Sequence, residues 1–558
     1  MSVDRRDLAT IIMLSLAFFA MAVWNLGMTS VPLSTWAPSE GESFYIDFGS
    51  PKNISAIYVL LKGGEIDARV YTGSPGNWSG GRTVSLSDYY CWRKVELNGE
   101  TRFVRFVFGP SRGEIAEIAA LSTTGEKIVI HAIRSEKGDD EELVNLIDEQ
   151  EKVECPPTYM SETYFDEIYY VRAAEDYINL RDPFEWTHPP LGKLIITASI
   201  LVFGYNPFGW RIMGVISATL IIPVIYVFGK KLFGTWIGAF ASAFLLMFDF
   251  MHFTMGRIAT VDTYVVLFSL TSHFFFFIYF QNVLKNGWKT STFPLFLATL
   301  FFALGFSTKW YTVYGFLGQV FLLLLLRVKD ITAVKEGWVA RLETFYSRPF
   351  PQFVFYLAIA VAVYLFTYVP HLLIGRTLTD IYNLQLSMYT YHSTLTATHP
   401  FSSPWWSWPF LVSRWHRVPV WFYVSYLPGD MISTIVAMGN PAVWWVGFAS
   451  VICLVEEAVK RRDYVCGFVL AIFFSQWLPY AVISRCLFLY HFYFNVPLLI
   501  LATVHFLNKS WNTRWGKVFW ICYFIVVAVL FALFYPVISG SPTSYWWRDR
   551  LRWFNWWF

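Results

Sequence analysis

Residues 209–229 read Gly-Trp-Arg-Ile-Met-Gly-Val-Ile-Ser-Ala-Thr-Leu-Ile-Ile-Pro-Val-Ile-Tyr-Val-Phe-Gly, and Lys230 and Lys231 follow at once. Arg211 alone carries charge in this run. At 1.5 Å per helical residue, about 20 residues cross the roughly 30 Å of hydrocarbon in a bilayer. The run is therefore read as a membrane span, with its basic end on the cytoplasmic side. Comparable runs lie at about 8–28, 234–253, 263–282, 293–308, 312–327, 353–372, 441–458, 464–482, 487–506 and 518–537, which predicts about eleven transmembrane helices. Composition agrees: 55% of the 558 residues are hydrophobic and only 15% are charged, with 53 Phe, 32 Tyr and 26 Trp. Such a chain cannot bury its apolar surface in a water-soluble fold.

Basic clusters order the topology. Arg5/Arg6, Lys230/Lys231, Lys285/Lys289, Arg327/Lys329/Lys335, Lys460/Arg461/Arg462 and Lys509/Arg514/Lys517 all fall on one side of an eleven-span arrangement. That side is cytoplasmic, so the N-terminus lies inside and the C-terminus outside. Segment 1–31 is then a first membrane anchor, 209–372 holds spans two to seven, 373–440 is an external loop, and 441–558 is a four-span region ending in a Trp- and Arg-rich interfacial tail. The net charge of +3 is too small to suggest a nucleic-acid partner.

Between the first two spans the pattern changes. Segment 32–157 contains short alternating stretches, such as 55–61, 68–71, 103–108 and 128–132, separated by Gly, Pro, Asn and Ser. This predicts an extracytoplasmic all-β module. Its phrasing loosely resembles a galactose-binding-like jelly roll, which leaves open both a ligand site and a plain packing role. Asn53-Ile-Ser55 and Asn77-Trp-Ser79 are glycosylation sequons on it. Cys91 and Cys155, alone among six cysteines, face the outside and could pair or remain free. Segment 158–208 is an external loop with two interfacial helices. One, 166–180, is amphipathic; the other, 194–203, is too short to span.

Ionisable groups near the outer ends of spans carry the chemical signal, because each is costly there without a partner or a task. They are Asp166, Glu167, His188, Lys193, Arg211, Arg257, Asp262, Lys309, Arg485 and His491. A carboxylate held near a substrate hydroxyl can remove its proton, and fixed cations in a water-poor site can hold a departing phosphate. Asp166 is the candidate base, with Glu167 beside it in a second role; helix capping is the plainer alternative for both. Lys193, Arg211, Arg485 and His491 are the candidate phosphate ligands, supported by His188, Arg257, Asp262 and Lys309. Arg257 with Asp262 could instead be a neutralising pair, and Lys309 with Trp310 an interfacial anchor. Trp405, Trp406, Trp408, Trp444 and Trp445 read as an aromatic belt. The remaining histidines, including His392, read as interfacial polar groups, and no residues have metal-type spacing.

Several motifs occur together in order: Phe165-Asp-Glu167, His188-Pro-Pro-Leu-Gly-Lys193, Pro207-Phe-Gly-Trp-Arg211, Met255-Gly-Arg257 through Asp262, Ser307-Thr-Lys309-Trp310, Pro404-Trp-Trp-Ser-Trp-Pro409, Met438 through Trp445, and Ser484-Arg485 through His491. This combination resembles the polyprenyl (dolichyl)-phosphate-mannose protein mannosyltransferases, glycosyltransferase family 39 of the GT-C superfamily. The resemblance implies inverting transfer of mannose from a polyprenyl or dolichyl phosphate to a Ser/Thr hydroxyl of an acceptor protein or peptide, outside the cytoplasm. It implies Asp166 as base, Glu167 as acceptor or structural partner, and Lys193, Arg211, Arg485 and His491 near the carrier phosphate. It implies no cofactor and no divalent metal. Membrane lipids are the surroundings, and a homo-oligomer is possible.

Two departures from the family pattern leave the acceptor open. The loop 373–440 is too short for the soluble module of eukaryotic members, and about 125 residues of β structure are inserted before Asp166. A related transferase acting on a lipid or glycan, as the aminoarabinose transferases of the superfamily do, is the alternative enzyme. A transporter or a sugar-binding receptor is the alternative of another class.

Overall fold

The computed structural model describes residues 3–136, 140–335, 337–413 and 416–557. Apolar helices dominate it, and the chain is a multi-pass integral membrane protein. Among the described residues, seven helices are long and apolar enough to cross a membrane, or up to nine if each of two bent pairs forms one span. In chain order the first helices are α1 (Arg5–Val23), α2 (Glu167–Ile178), α3 (Leu191–Phe203), α4 (Pro207–Phe233), α5 (Trp236–Met247), α6 (Phe250–Gly256) and α7 (Asp262–Asn286). They continue with α8 (Phe293–Phe306) and α9 (Thr312–Ala333), and the C-terminal region adds Pro441–Lys460, Tyr464–Trp477, Val496–Ser510 and Arg514–Ser539.

Local chemistry sets several boundaries. Asn206 caps α4 by accepting the Gly209 amide at 2.7 Å, and Pro207 occupies the first turn, where no amide is needed. Between α5 and α6 the axis bends by 61° at Asp249. Asp249 caps α6 through the His252 amide and also accepts from Trp444 Nε1 at 2.8 Å. Trp408 and Trp444 are fully buried, so these two belong to the protein core and not to an aromatic belt. Trp406 and Trp445 remain exposed. The C-terminal tail is likewise packed: Trp557 is 1% exposed, with its indole donating to the Leu411 carbonyl. Phe558, the last residue of the predicted tail, lies outside the described residues.

The inserted module is antiparallel β structure. Its long segment Ser43–Ser74 changes partners as it runs. One side orders as 77–87, 65–74, 103–108, 43–47 and 132–135. The other orders as 91–96, 56–61, 115–122 and 127–128. Phe44, Ile46, Val70 and Phe106 from the first meet Ile57, Val59, Leu61 and Ile118 from the second in one buried core. Alternation along the strand turns Leu60 the other way, where it joins Tyr89, Tyr90, Trp92 and Ala119 against Val171, Ala174, Ile196, Ile200 and Trp210 of α2, α3 and α4. Residues 56–61 are thus buried on both faces, which is why they read Ala-Ile-Tyr-Val-Leu-Leu without a polar break. Asn53 and Asn77 are exposed, and Cys91 and Cys155 are both free thiols.

Candidate active site

Asp166 opens α2 at the mouth of a cavity of about 410 Å³. Tyr170, Glu185, His188, Lys309, His392, Arg485, Tyr490 and His491 are among its lining. Two of the predicted phosphate ligands, Arg485 and His491, and two of the supporting residues, His188 and Lys309, therefore share the cavity with the predicted base. Arg211 and Lys193 do not.

Arg211 is fully buried and commits every donor. Its Nε reaches Glu167 Oε1 at 2.8 Å, and one terminal nitrogen reaches Leu26 O at 3.0 Å and Tyr159 O at 2.8 Å. The other reaches Glu162 O and Glu167 Oε2, both at 2.7 Å. A guanidinium has five N–H donors, so none is left for a phosphate. Glu167 is equally consumed: besides Arg211, it accepts the Ala259 amide at 2.9 Å and the Tyr164 amide at 3.2 Å. Of the two readings of Glu167, the structural one fits this geometry: Glu167 and Arg211 form a pair that locks the acidic loop onto α4, and Arg211, expected at a phosphate, lies outside the cavity with its donors taken.

Lys193 needs the same correction. Its ammonium, on a side chain 2% exposed, donates to Glu185 Oε2 at 2.8 Å, to Glu185 O at 2.6 Å and to His188 O at 2.8 Å. These three acceptors use its three protons. Gly192 just before it lets α3 sit against its neighbours, since a Cβ there would lie 2.4 Å from Val261 Cγ1. Although burial pushes the Glu185 carboxyl up, Lys193 and His188 beside it hold it well below the usual carboxylate range. His188 Nδ1 lies 2.9 Å from Glu185 Oε1, and burial lowers its pKa against the pull of that carboxylate.

The supporting residues have different partners from those expected. Arg257 does not neutralise Asp262; it donates to the carbonyls of Ala22, Trp24, Asn25 and Ser539, tying the end of α1 to the end of the helix Arg514–Ser539. Asp262 instead receives Lys309 Nζ on both oxygens at 2.9 Å and the Tyr311 hydroxyl at 3.0 Å. Lys309 is 6% exposed, so it is a buried ion-pair member beside the cavity and not an interfacial anchor.

Two charges remain. Among the described residues, the Asp166 side chain has no hydrogen bond or ion pair, and burial pushes its carboxyl up to about 7, against the opposing effect of Lys309. Arg485 donates to His392 Nδ1 at 2.7 Å and, among the described residues, to no carboxylate. His392 Nε2 lies 2.8 Å from the Thr187 carbonyl, which fixes the tautomer that can accept from Arg485. Burial lowers the His392 pKa to about 4, so this partner adds no charge. His491 is held through Nδ1 by the Phe488 backbone. The sequence reading missed His392 and Glu185 as site residues; for Glu185, the three-residue spacing to His188 was the available signal.

Away from the cavity, Asp463, Cys466 and His505 bring possible metal-ligating atoms within 4.8 Å of one another, a cluster that linear spacing did not reveal. Both imidazole nitrogens lie 3.6–3.7 Å from the Cys466 sulfur.

Residues 187–342 match the family described as dolichyl-phosphate-mannose-protein mannosyltransferase, and 377–557 match the C-terminal four TMM region of protein-O-mannosyltransferase. The polyprenol-phosphate-mannose–protein mannosyltransferase of Mycolicibacterium smegmatis is 24% identical over 416 residues, covering 64% of this chain and 79% of that one. The protein of the same name from Corynebacterium glutamicum is 26% identical over 429 residues, covering 66% and 81%. The S. cerevisiae protein O-mannosyltransferase Pmt1–Pmt2 complex, solved bound to the sugar donor, superposes with a TM-score of 0.57 at 12% identity over 71% of this chain and 89% of that one. That likeness is one of fold. Together with the two matched regions and the bacterial relatives, it establishes that the chain belongs to the protein O-mannosyltransferase family.

Proposed function

We infer that this glycosyltransferase moves mannose from a polyprenyl or dolichyl phosphate to a Ser or Thr hydroxyl of an acceptor protein on the non-cytoplasmic side. The observation that carries the reading is an Asp166 carboxylate sharing one cavity with Arg485, each without an oppositely charged partner among the described residues. In the reaction, Asp166 takes the hydroxyl proton while the acceptor oxygen attacks the anomeric carbon. The bond from that carbon to the phosphate oxygen breaks, and the lipid phosphate leaves with its electron pair. Attack opposite the leaving group inverts the anomeric centre. Arg485, oriented by His392, would receive the phosphate charge, with Lys309 and His491 adjoining. The eleven-span topology, with the N-terminus inside and the jelly-roll-like module outside, belongs to the same reading. It puts the cavity at the outer lip of the bilayer.

The test supplies polyprenyl phosphate mannose and a Ser/Thr peptide to purified protein in lipid nanodiscs. Mannosyl peptide should form with the wild type and not with Asp166→Asn. Transfer by the Asn variant at the wild-type rate would remove Asp166 from the base role.

A further inference from the structure

Both matched family regions begin after the β module, yet the module reaches the loop that carries Asp166. Residues 91–96 form an edge of the β structure. A free edge exposes backbone groups that need partners, and here the acidic loop supplies them. Thr163 N donates to Tyr90 O at 2.9 Å, and Thr163 Oγ1 donates to Tyr89 O at 2.6 Å. Trp92 N donates to Glu162 Oε2 at 2.8 Å, and Cys91 Sγ contacts the same oxygen at 3.2 Å. Farther along α2, Glu175 accepts Lys62 Nζ at 2.9 Å and the Tyr89 hydroxyl.

What this clamp holds is strained. Phe165, immediately before Asp166, has φ +52°, a left-handed conformation that is unfavourable for a non-glycine residue. Such a residue persists only where its surroundings over-determine it. On its C-terminal side Glu167 is locked by Arg211 and the Ala259 amide. Its ring stacks on Phe422 at 4.3 Å and meets Tyr490 edge-on at 5.9 Å. Its N-terminal side is Thr163 and Glu162, held by the β module. Without that side, the turn can relax toward an ordinary φ and carry the Asp166 carboxylate away from Arg485. The Glu162 carbonyl also receives Arg211 at 2.7 Å, so the two clamps meet at one peptide.

We propose that the inserted β module is a positioning element of the active site, whose edge at Tyr89–Trp92 holds Glu162 and Thr163 and so aims Asp166 into the cavity. This rests on the reading of Asp166 as base. Thr163 and Glu162 are positioning residues, and the module is more than a lid.

The test uses the full chain in nanodiscs with polyprenyl phosphate mannose and a Ser/Thr peptide. Thr163→Val keeps the side-chain shape and removes the bond to Tyr89 O; Thr163→Ser keeps the bond. The Val variant should lose about tenfold in kcat, the worth of one buried hydrogen bond, with donor KM unchanged, and the Ser variant should recover it. Amide hydrogen exchange at 164–167 should quicken in Thr163→Val alone. Unchanged exchange, or a kcat loss that Ser does not restore, overturns the proposal. Quickened exchange with full turnover also overturns the proposal, since the clamp would then hold the loop without aiming Asp166; failure of the base reading itself is distinguished by Asp166→Asn retaining wild-type transfer. A variant that does not fold is replaced by Glu162→Gln, which retains an acceptor for Trp92 N, compared with Glu162→Ala under the same criteria.

Discussion

Arg211 and Arg485 look alike in sequence, each an arginine at the outer end of a predicted span, but substituting them should separate stability from donor binding. Arg211 makes five hydrogen bonds and is fully buried. Lysine offers three donors, so Arg211→Lys leaves at least two buried acceptors unsatisfied, at about 1–3 kcal/mol each. The expected loss is about 2–6 kcal/mol of stability. Arg211→Met strands the Glu167 carboxylate and costs about 3–5 kcal/mol, as breaking a buried pair does. Adding Glu167→Gln to Arg211→Met should return part of that, because the stranded charge is gone. Arg485 engages one neutral partner. Replacing it with alanine removes a charge-assisted contact to the donor phosphate worth about 1.5–3 kcal/mol, or about 10–100-fold in donor KM, with little change in thermal inactivation. The assay pairs inactivation midpoints in nanodiscs with donor saturation curves at a temperature where every variant is folded. The reasoning is refuted if Arg211→Lys keeps the wild-type midpoint and raises donor KM tenfold, or if Arg485→Ala leaves donor KM unchanged.

Turnover should rise with pH and reach half its plateau near about 7, because burial lifts the Asp166 carboxyl to about 7 and the base must be ionised; a profile flat between about pH 5.5 and 8 contradicts this. The same shift acts on folding. The folded-state pKa lies above the unfolded value, so ionising Asp166 costs stability progressively between about pH 4 and 7. Asp166→Asn should therefore be the more heat-resistant protein at pH 8, and equal midpoints there would count against an unpartnered carboxylate. Glu185 shifts the other way, being held well below its usual range. Its contribution is present above about pH 4.5 and lost as the medium acidifies; Glu185→Gln should lower the inactivation midpoint at neutral pH, by leaving Lys193 buried and uncompensated, and erase this pH dependence. His392→Ala should raise donor KM severalfold by releasing Arg485, with partial recovery in His392→Gln, whose side-chain oxygen can still accept; identical KM values would show that Arg485 needs no orientation.

The membrane character and the β insertion were legible in the sequence, because they depend on run length and period, whereas the grouping of Asp166 with Arg485 and His491 came from the ordered motifs of the family resemblance. The continuous apolar run 56–61 also carried a signal that the module packs on both faces, which an all-β reading alone did not use. The partnering of the charges was not legible. Glu167 lies 44 residues from Arg211, and Asp262 lies 47 from Lys309. No periodicity links such positions; the helices α2, α4, α7 and the turn before α9 must first be packed. Sequence reading therefore gave Arg211, Lys193 and Arg485 equal standing. Packing distinguishes them through a simple consequence of low dielectric: an ion with only a structural task must be matched nearby, or it destabilises the fold. Glu167 matches Arg211, Glu185 matches Lys193, and Asp262 matches Lys309. After these pairs are set aside, Asp166 and Arg485 remain at the cavity without opposite partners among the described residues. The fold bears that cost where a hydroxyl proton and a lipid phosphate can offset it, so the unmatched charges and not the most deeply buried ones mark where chemistry is expected.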